Sequence, residues 1–367
     1  MSFEQHFKTL QDGRTDINIS YDLMDVIFLT LAALLSGAEG WQDIQRFGDS
    51  KLDWLRQYRP FKQGIPRRHT IARTIGALSP EHLLECFVSW VNEVRACKGH
   101  GHIAIDGKTL KGSRGKDRHS ALHLLSAMAI DSGLVICQQR SAGKKNEIQT
   151  VQELLDVLDI RDACVTLDAM HCQKATVQKL RERSADYVIQ IKANQKQFLH
   201  EIEAYFHKVE RDSPEILQAH RFEELDKGHG RLEQRVYDSL AISDWLTQAT
   251  DWSGLQRIIR VRRRVEFEHK VRDEVSYYLT SLTEETENIA QKIRRHWHIE
   301  NSQHWVLDVV FKEDDSRIRV GDAPQNMALF RRFALNLARS SSIRDSIKGK
   351  LKQASWNDQV RAQLLFG

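Results

Sequence analysis

His102-Ile103-Ala104-Ile105-Asp106, followed by Gly107-Lys108, decides how the rest of the chain is read. An apolar run that starts after a glycine and closes on an acid predicts a short buried strand with a carboxylate at its C-terminal end. Ala163-Cys164-Val165-Thr166-Leu167-Asp168 repeats the pattern further on. Between them, His119 to Asp131 and Leu134 to Arg140 predict two strands that turn at Asp131-Ser132-Gly133. Ile148, Val151, Leu154, Leu155 and Leu158 space a helix over residues 147–158, Gln173 to Ser184 reads as another, and Tyr187 to Ile191 as a strand. A meander followed by β-α-β units predicts a mixed sheet with helices on both sides.

Upstream the texture is helical. Leu23, Val26, Ile27, Leu29, Leu31, Leu34 and Leu35 make a broad apolar face that stops near Gly37 and Gly40. Further helices are expected over Trp41 to Phe47, over Arg67 to Leu78 after the Gly64-Ile65-Pro66 turn, and over Glu81 to Val94 after Ser79-Pro80. Periodicity leaves open whether this module is a helix-turn-helix. Downstream, Leu232 to Tyr237, Arg257 to Arg264 and Val275 to Leu282 predict strands that interrupt the α/β order, before a long helix over about 286–310. The expected division is a helical module over 1–98 and an α+β domain over 99–367, with a β-rich insertion at about 220–283 and a mobile basic tail at about 340–367, beyond Ser340-Ser341-Ser342.

The bulk numbers bound the function. Of 367 residues, 41% are hydrophobic and 28% charged, enough for packed cores and too apolar for extended disorder. A net charge of +4 excludes a histone-like wrapper, so any nucleic-acid contact must come from local patches. Cys86, Cys97, Cys137, Cys164 and Cys172 include no C-x-x-C pair and read as reduced packing thiols rather than a zinc site. No basic segment leads into an apolar one at the N-terminus, and Val26 to Leu35 is too short to span a bilayer, so a cytoplasmic protein is expected.

Two carboxylates at strand ends in an α/β sheet project into a crevice on a rigid base. Brought close, they repel, and a hard divalent cation such as Mg²⁺ or Mn²⁺ relieves the repulsion. Two such ions can activate a water or 3′-hydroxyl and stabilise the leaving oxygen in phosphoryl transfer. The plainer readings are that Asp106-Gly107 forms a turn and that Asp168 caps the next helix.

The run Arg294-Arg295-His296-Trp297-His298-Ile299-Glu300-Asn301-Ser302-Gln303-His304-Trp305-Val306-Leu307-Asp308-Val309-Val310-Phe311-Lys312-Glu313-Asp314 resembles the pattern R-x-H-W-x-I-E-N-x-x-H-W-x-L-D-V-x-F-x-E-D of the H-repeat-associated insertion-sequence transposases. Ile103 to Ser113, Lys145-Asn146-Glu147-Ile148, Val165 to Gln173 (with His171 where a glycine is usual), Ala185 to Gln195 and Ser36 to Trp41 with Phe47-Gly48 resemble further blocks of the family, so the likeness spans nearly the whole chain. It implies an RNase H-like core, metal-dependent strand cleavage and transfer at the ends of a mobile element, and Asp106, Asp168 and Glu300 as the acids that hold two Mg²⁺ or Mn²⁺ ions. It also implies double-stranded DNA, both terminal repeats and target, as partner, and a homodimer on two DNA ends. The Y-x(2)-R-x(3)-E-x(6)-K signature of neighbouring groups fits less well, because its Tyr, Arg and Lys positions hold Ile293, His296 and Leu307. Phosphate contact then falls to Arg294, Arg295, His304 and Lys312 without a choice among them.

Other signals are weaker. His296, Glu300, His304 and Asp308 recur every fourth residue, one line along a regular helix, but lack the H-E-x-x-H spacing of a zinc site. Asp308 is expected to bind an Arg or Lys partner, or a structural water. Arg262, Arg263 and Arg264 form the densest basic run and are a candidate DNA-backbone contact, tempered by Glu266, Glu268, Asp273 and Glu274. Trp297 and Trp305 are expected to pack. The rival readings are a nuclease without joining activity and a catalytically silent DNA-binding regulator of the element.

Overall fold

The computed structural model describes residues 4–14, 19–96, 101–114, 121–141, 143, 146–228, 231–267 and 270–367. Helices α1 (Glu4–Phe7), α2 (Leu23–Leu35), α3 (Trp41–Leu55), α4 (Arg68–Gly76) and α5 (Pro80–Ala96) come first. Strands β1 (His102–Leu110), β2 (Leu122–Ala129) and β3 (Leu134–Ser141) follow, then α6 (Glu147–Val157), β4 (Cys164–Leu167), α7 (Lys174–Glu182), β5 (Asp186–Ile191), α8 (Lys196–Asp212) and α9 (Pro214–Ala219). Strands β6 (Arg221–Gly228), β7 (Arg231–Ala241), β8 (Arg257–Phe267) and β9 (Lys270–Thr280) precede α10 (Thr286–His296), α11 (Trp305–Val309), α12 (Ala323–Ser340), α13 (Ile347–Trp356) and α14 (Asp358–Phe366). The hydrogen-bonded strand order is β3-β2-β1-β4-β5-β9-β8-β7-β6.

The residues fall into two compact units. One gathers 1–99, 107–147 and 299–367; the other gathers 100–106 and 148–298, so β1 contributes to both.

In the first unit, α2 is apolar on every side and buried from Leu23 to Leu35 apart from Met24, as a helix in the middle of a core must be. Asp22 caps its start, accepting from the Asp25 N–H at 3.1 Å. Gly37, at φ +87, ends it, with Gly37 N bonded to Leu34 O and Ala38 N to Ala33 O, an ending that needs a left-handed residue. Helix α12 packs on α2, α4, α5 and β3. Two buried asparagines fix it. Asn336 exchanges hydrogen bonds with the Val135 N–H and C=O at 2.9 and 2.7 Å, and Asn326 donates to Ile75 O and Leu78 O at 2.8 and 2.9 Å.

The segment expected to be a mobile tail is instead α13 and α14. Lys350 Nζ is buried and donates to Ala338 O at 2.7 Å, closing the end of α12. Arg361 is fully buried, with its guanidinium 4.4 Å from the Trp54 ring and 2.8 Å from Asp358. These cations cover aromatic faces and helix ends, uses that composition does not reveal.

In the second unit, β1, β4 and β5 are parallel, and β9 joins β5 antiparallel with Val188 opposite Thr280. The expected β insertion therefore continues this ladder through β8, β7 and β6. Helix α10 packs on it through Ile289, Ala290 and Ile293 against Cys164, Val188, Tyr237, Ile259 and Val261. Four thiols, Cys86, Cys137, Cys164 and Cys172, are free and buried, and burial pushes Cys137 and Cys172 up to about 12. Cys97 lies outside the described residues.

Candidate active site

Strands β1 and β4 pair in parallel with His102 opposite Cys164, Ile103 opposite Val165 and Ala104 opposite Thr166. Two more residues along that register bring Asp106 level with Asp168, on the same face because side chains alternate with period two. Neighbouring strands lie about 4.8 Å apart, so the two carboxylates leave the sheet side by side. The expected strand end at Asp106 is not observed, since β1 continues to Leu110. Asp106-Gly107 is extended chain, and the turn reading does not hold. Gly107 is there for space: a Cβ would stand 2.8 Å from His123 Nε2 and 3.1 Å from Glu147 Oε2.

Asp168 does act as a cap. Its carboxylate accepts from the Met170 N–H at 3.2 Å at the head of a 3₁₀ turn, and the buried His171 stands 3.7 Å away through Nε2. Capping leaves half the carboxylate open, with 47% of the side chain exposed. Beneath it, Thr166 Oγ1 lies 2.9 Å from His102 Nε2 and 2.9 Å from His296 Nδ1. Burial pushes His296 down to about 4, against the pull of the Asp168 charge and with His171 adding to the fall, so at neutral pH its ring is uncharged.

Glu300 belongs to the other unit. The single helix expected over about 286–310 is three pieces: α10 stops at His296, Ile299–His304 is a wide π-helical turn, and α11 begins at Trp305. The four-residue line from His296 to Asp308 is therefore broken. No proline or glycine marks the change, which is why periodicity missed it. Glu300 is exposed on this turn, and Arg339 donates to Ser302 O within it. His304 is half-buried; burial pushes it down to about 3, with Arg332 and Lys108 adding to the fall and Glu313 opposing. Trp297 and Trp305, expected to pack, are 52% and 57% exposed.

Asp308 has the cationic partner expected of it, Lys108. Lys108 also reaches Glu313 Oε2 at 3.3 Å, and Arg332 Nη1 reaches Glu313 Oε1 at 2.7 Å. Lys108, Glu313, His123 and Glu147 received no role from the sequence, and Arg332, read there as one of a basic set touching phosphates, is buried on Glu313 instead. One signal was present: Lys108 lies two residues beyond Asp106 in an extended run, hence on its face of the strand.

The expected DNA-facing arginines are paired. Arg262 meets Asp238 at 3.1 Å, Arg263 meets Glu274 at 3.1 Å and Glu233 at 2.5 Å, and Arg264 meets Glu266 at 2.9 Å. Arg294 meets Glu224 at 2.8 Å and Asp226 at 2.5 Å. Arg295 is half-buried. Lys312 adopts φ 52, rare for a residue with a Cβ, and has no carboxylate partner among the described residues. Among the described residues no three His, Cys, Asp or Glu side chains cluster closely enough to hold a metal ion.

Comparison with known proteins decides the family. Residues 4–91 match the model of the DDE_Tnp_1-associated domain, and residues 98–337 match that of the transposase DDE domain. The chain is a DDE transposase family member. Within the family it is 36% identical to the "H repeat-associated putative transposase YhhI" of Escherichia coli K12, over 99% of this chain and 97% of that protein. It is 35% identical to the "Putative transposase YncI" of Escherichia coli O157:H7, over 97% of this chain and 92% of that protein. The piggyBac transposase in its synaptic complex with hairpin DNA aligns with 99% of this chain and 77% of its own, at a TM-score of 0.44 and 13% identity. The present chain is a mixed α/β protein with a large mixed sheet. No helix among its described residues is long and apolar enough to cross a membrane.

Proposed function

We propose that this family member cuts DNA strands at the ends of an insertion sequence and joins them to target DNA, using an RNase H-like core. What supports the reading is the parallel pairing of β1 with β4, whose register, continued two residues past Ala104 and Thr166, leads to Asp106 and Asp168. In this reading both acids hold divalent metal, Mg²⁺ or Mn²⁺, and Glu300 on the wide turn is the third ligand. The ions supply the activated nucleophile and the stabilised leaving oxygen of an in-line displacement. The chain's own part is to keep two negative charges side by side on a rigid strand pair and to hold an uncharged His296, through Thr166, where it adds no competing cation. Lys312, and Arg262, Arg263, Arg264, Arg294, Arg295 and His304 where their present contacts open, face phosphates. Two DNA ends are held by a homodimer.

The test is incubation with the flanking DNA of its own gene and Mn²⁺. Asp106→Asn and Asp168→Asn are each expected to abolish cleavage with DNA affinity within about twofold of the parent, because phosphate contacts elsewhere supply affinity. Cleavage that persists in EDTA overturns the reading. Cut but never joined products mark a nuclease, and binding without cutting marks a silent regulator.

A further inference from the structure

From Asp53 to Glu81 the sequence contains no acidic residue and six Lys or Arg: Arg56, Arg59, Lys62, Arg67, Arg68 and Arg73. In a chain whose net charge is only +4, six cations without an intervening acid make this stretch locally basic. The stretch is α4 and the loop leading into it. Helix α4 buries Ile71, Thr74 and Ile75, with Leu78 just beyond, and packs on α2, α3 and α12. Its outer face is left to His69 and Arg73, with Arg67, Arg68 and Lys62 exposed beside them.

These cations differ from the sheet arginines. Arg59 pairs with Asp22 and Asp25, but Lys62, Arg67 and Arg73 have no carboxylate partner among the described residues. Arg68 donates to the neutral Gln42 Oε1 at 2.9 Å and to His69 Nε2 at 3.3 Å, while its backbone N–H is capped by Gln45 Oε1 at 2.8 Å. No acid sits in the first turn of α4, where the helix dipole favours one. Three cationic or ionisable side chains occupy that end instead, an arrangement unfavourable in isolation and relieved by a polyanion. The helix is also mounted rigidly, since Asn326 of α12 ties down the carbonyls of Ile75 and Leu78 at its other end. A rigid helix with an open cationic face, about 13 Å long at 1.5 Å per residue, fits the phosphate walls of a duplex groove about 12 Å wide.

We propose that the exposed face of α4, carried by Arg67 and Arg73 with Lys62, Arg68 and His69 around them, is a duplex-DNA backbone contact of this protein. The proposal rests on the reading of the chain as one that acts on DNA, and it is tested without catalysis. Equilibrium binding of the full chain to a duplex is measured in EDTA across a salt series, for the parent, Arg67→Gln/Arg73→Gln and Asp106→Asn/Asp168→Asn. The parent's log K is expected to fall steeply with log salt, and the α4 variant to lose about two units of that slope with Kd raised roughly tenfold. The loss should be alike on unrelated duplex sequences, and the aspartate variant should follow the parent. Both substitutions lie on exposed side chains, and an unchanged melting temperature confirms a folded variant. An α4 variant that keeps the parent's slope overturns the inference alone, and so does parent protein that binds anionic vesicles as tightly as DNA. Salt-dependent binding lost with α4, in a protein that never cleaves DNA, leaves the inference standing and defeats the catalytic reading.

Discussion

Replacing Glu313 by Gln removes one charge and almost no volume from a fully buried site. Its carboxylate holds Arg332, itself fully buried, at 2.7 Å and Lys108, 8% exposed, at 3.3 Å. Burial alone would raise the Glu313 pKa, but Arg332, Lys108 and Arg331 outweigh it and hold the group at about 2 rather than its ordinary 4.5. At about 1.36 kcal/mol for each tenfold change in proton affinity, that difference is worth about 3 kcal/mol. The cost of stranding one partner of a buried ion pair, about 3–5 kcal/mol, gives the same scale independently. With an unfolding entropy of about 2.1 cal/mol/K per residue, about 3 kcal/mol lowers the melting temperature of a 367-residue chain by roughly 4 °C. The sign of the pH dependence follows from a depressed folded pKa: the stabilisation is complete above about 4.5 and is lost as pH falls towards 2. Thermal unfolding of parent and Glu313→Gln at pH 7 and at steps down to pH 3 should show a gap that narrows with acid. Equal melting temperatures at pH 7, or a gap that widens with acid, refute the reasoning.

Other outcomes follow from the same contacts. Glu300→Gln should eliminate metal-dependent cleavage without lowering the melting temperature, because Glu300 is exposed. Asp308→Asn, which strips Lys108 of a partner, should lower it yet leave measurable turnover, and reversed outcomes would move the third ligand to Asp308. Gly107→Ala should destabilise by about 1–3 kcal/mol through overpacking against His123 and Glu147, read by denaturant midpoint; a neutral result would show that the pair can give way. Neutralising Arg262, Arg263 and Arg264 together should take off the DNA-binding salt slope less than the roughly one unit per contact that free cations give, because each trades a carboxylate for phosphate. A drop of about three units would show the ion pairs to be no obstacle.

Much of this was legible early. The apolar runs ending at Asp106 and Asp168 predicted two strands, and their parallel register makes neighbours of the acids. What periodicity could not supply was anything set by distant partners. Position 107, inside β1, is a glycine because His123 and Glu147 occupy the space a side chain would need, and neither is near it in sequence. The helix after Thr286 breaks into a wide turn without a proline or glycine to announce it. Arg262 to Arg264 look like an open basic run until β7 and β9 bring Glu233, Asp238, Asp273 and Glu274 beside them. Lys350 and Arg361 looked like tail charges for the same reason, since their helix-end and aromatic partners are invisible to composition.

The unit built from residues 1–99, 107–147 and 299–367 has a consequence in time. Helices α2, α4 and α5 bury their apolar faces on α12, which leaves the ribosome only after Ser340 has been made. At about 5–20 residues per second, the wait between finishing α5 and finishing α12 is roughly 12–50 s. For that interval the nascent N-terminal helices have only one another and lack the cover that α12 gives, such as Phe333 against Phe87, whereas every strand of the β5-to-β6 ladder has been synthesised. The first residues made are therefore among the last to reach their native packing, and chains interrupted before α12 should be the ones that aggregate.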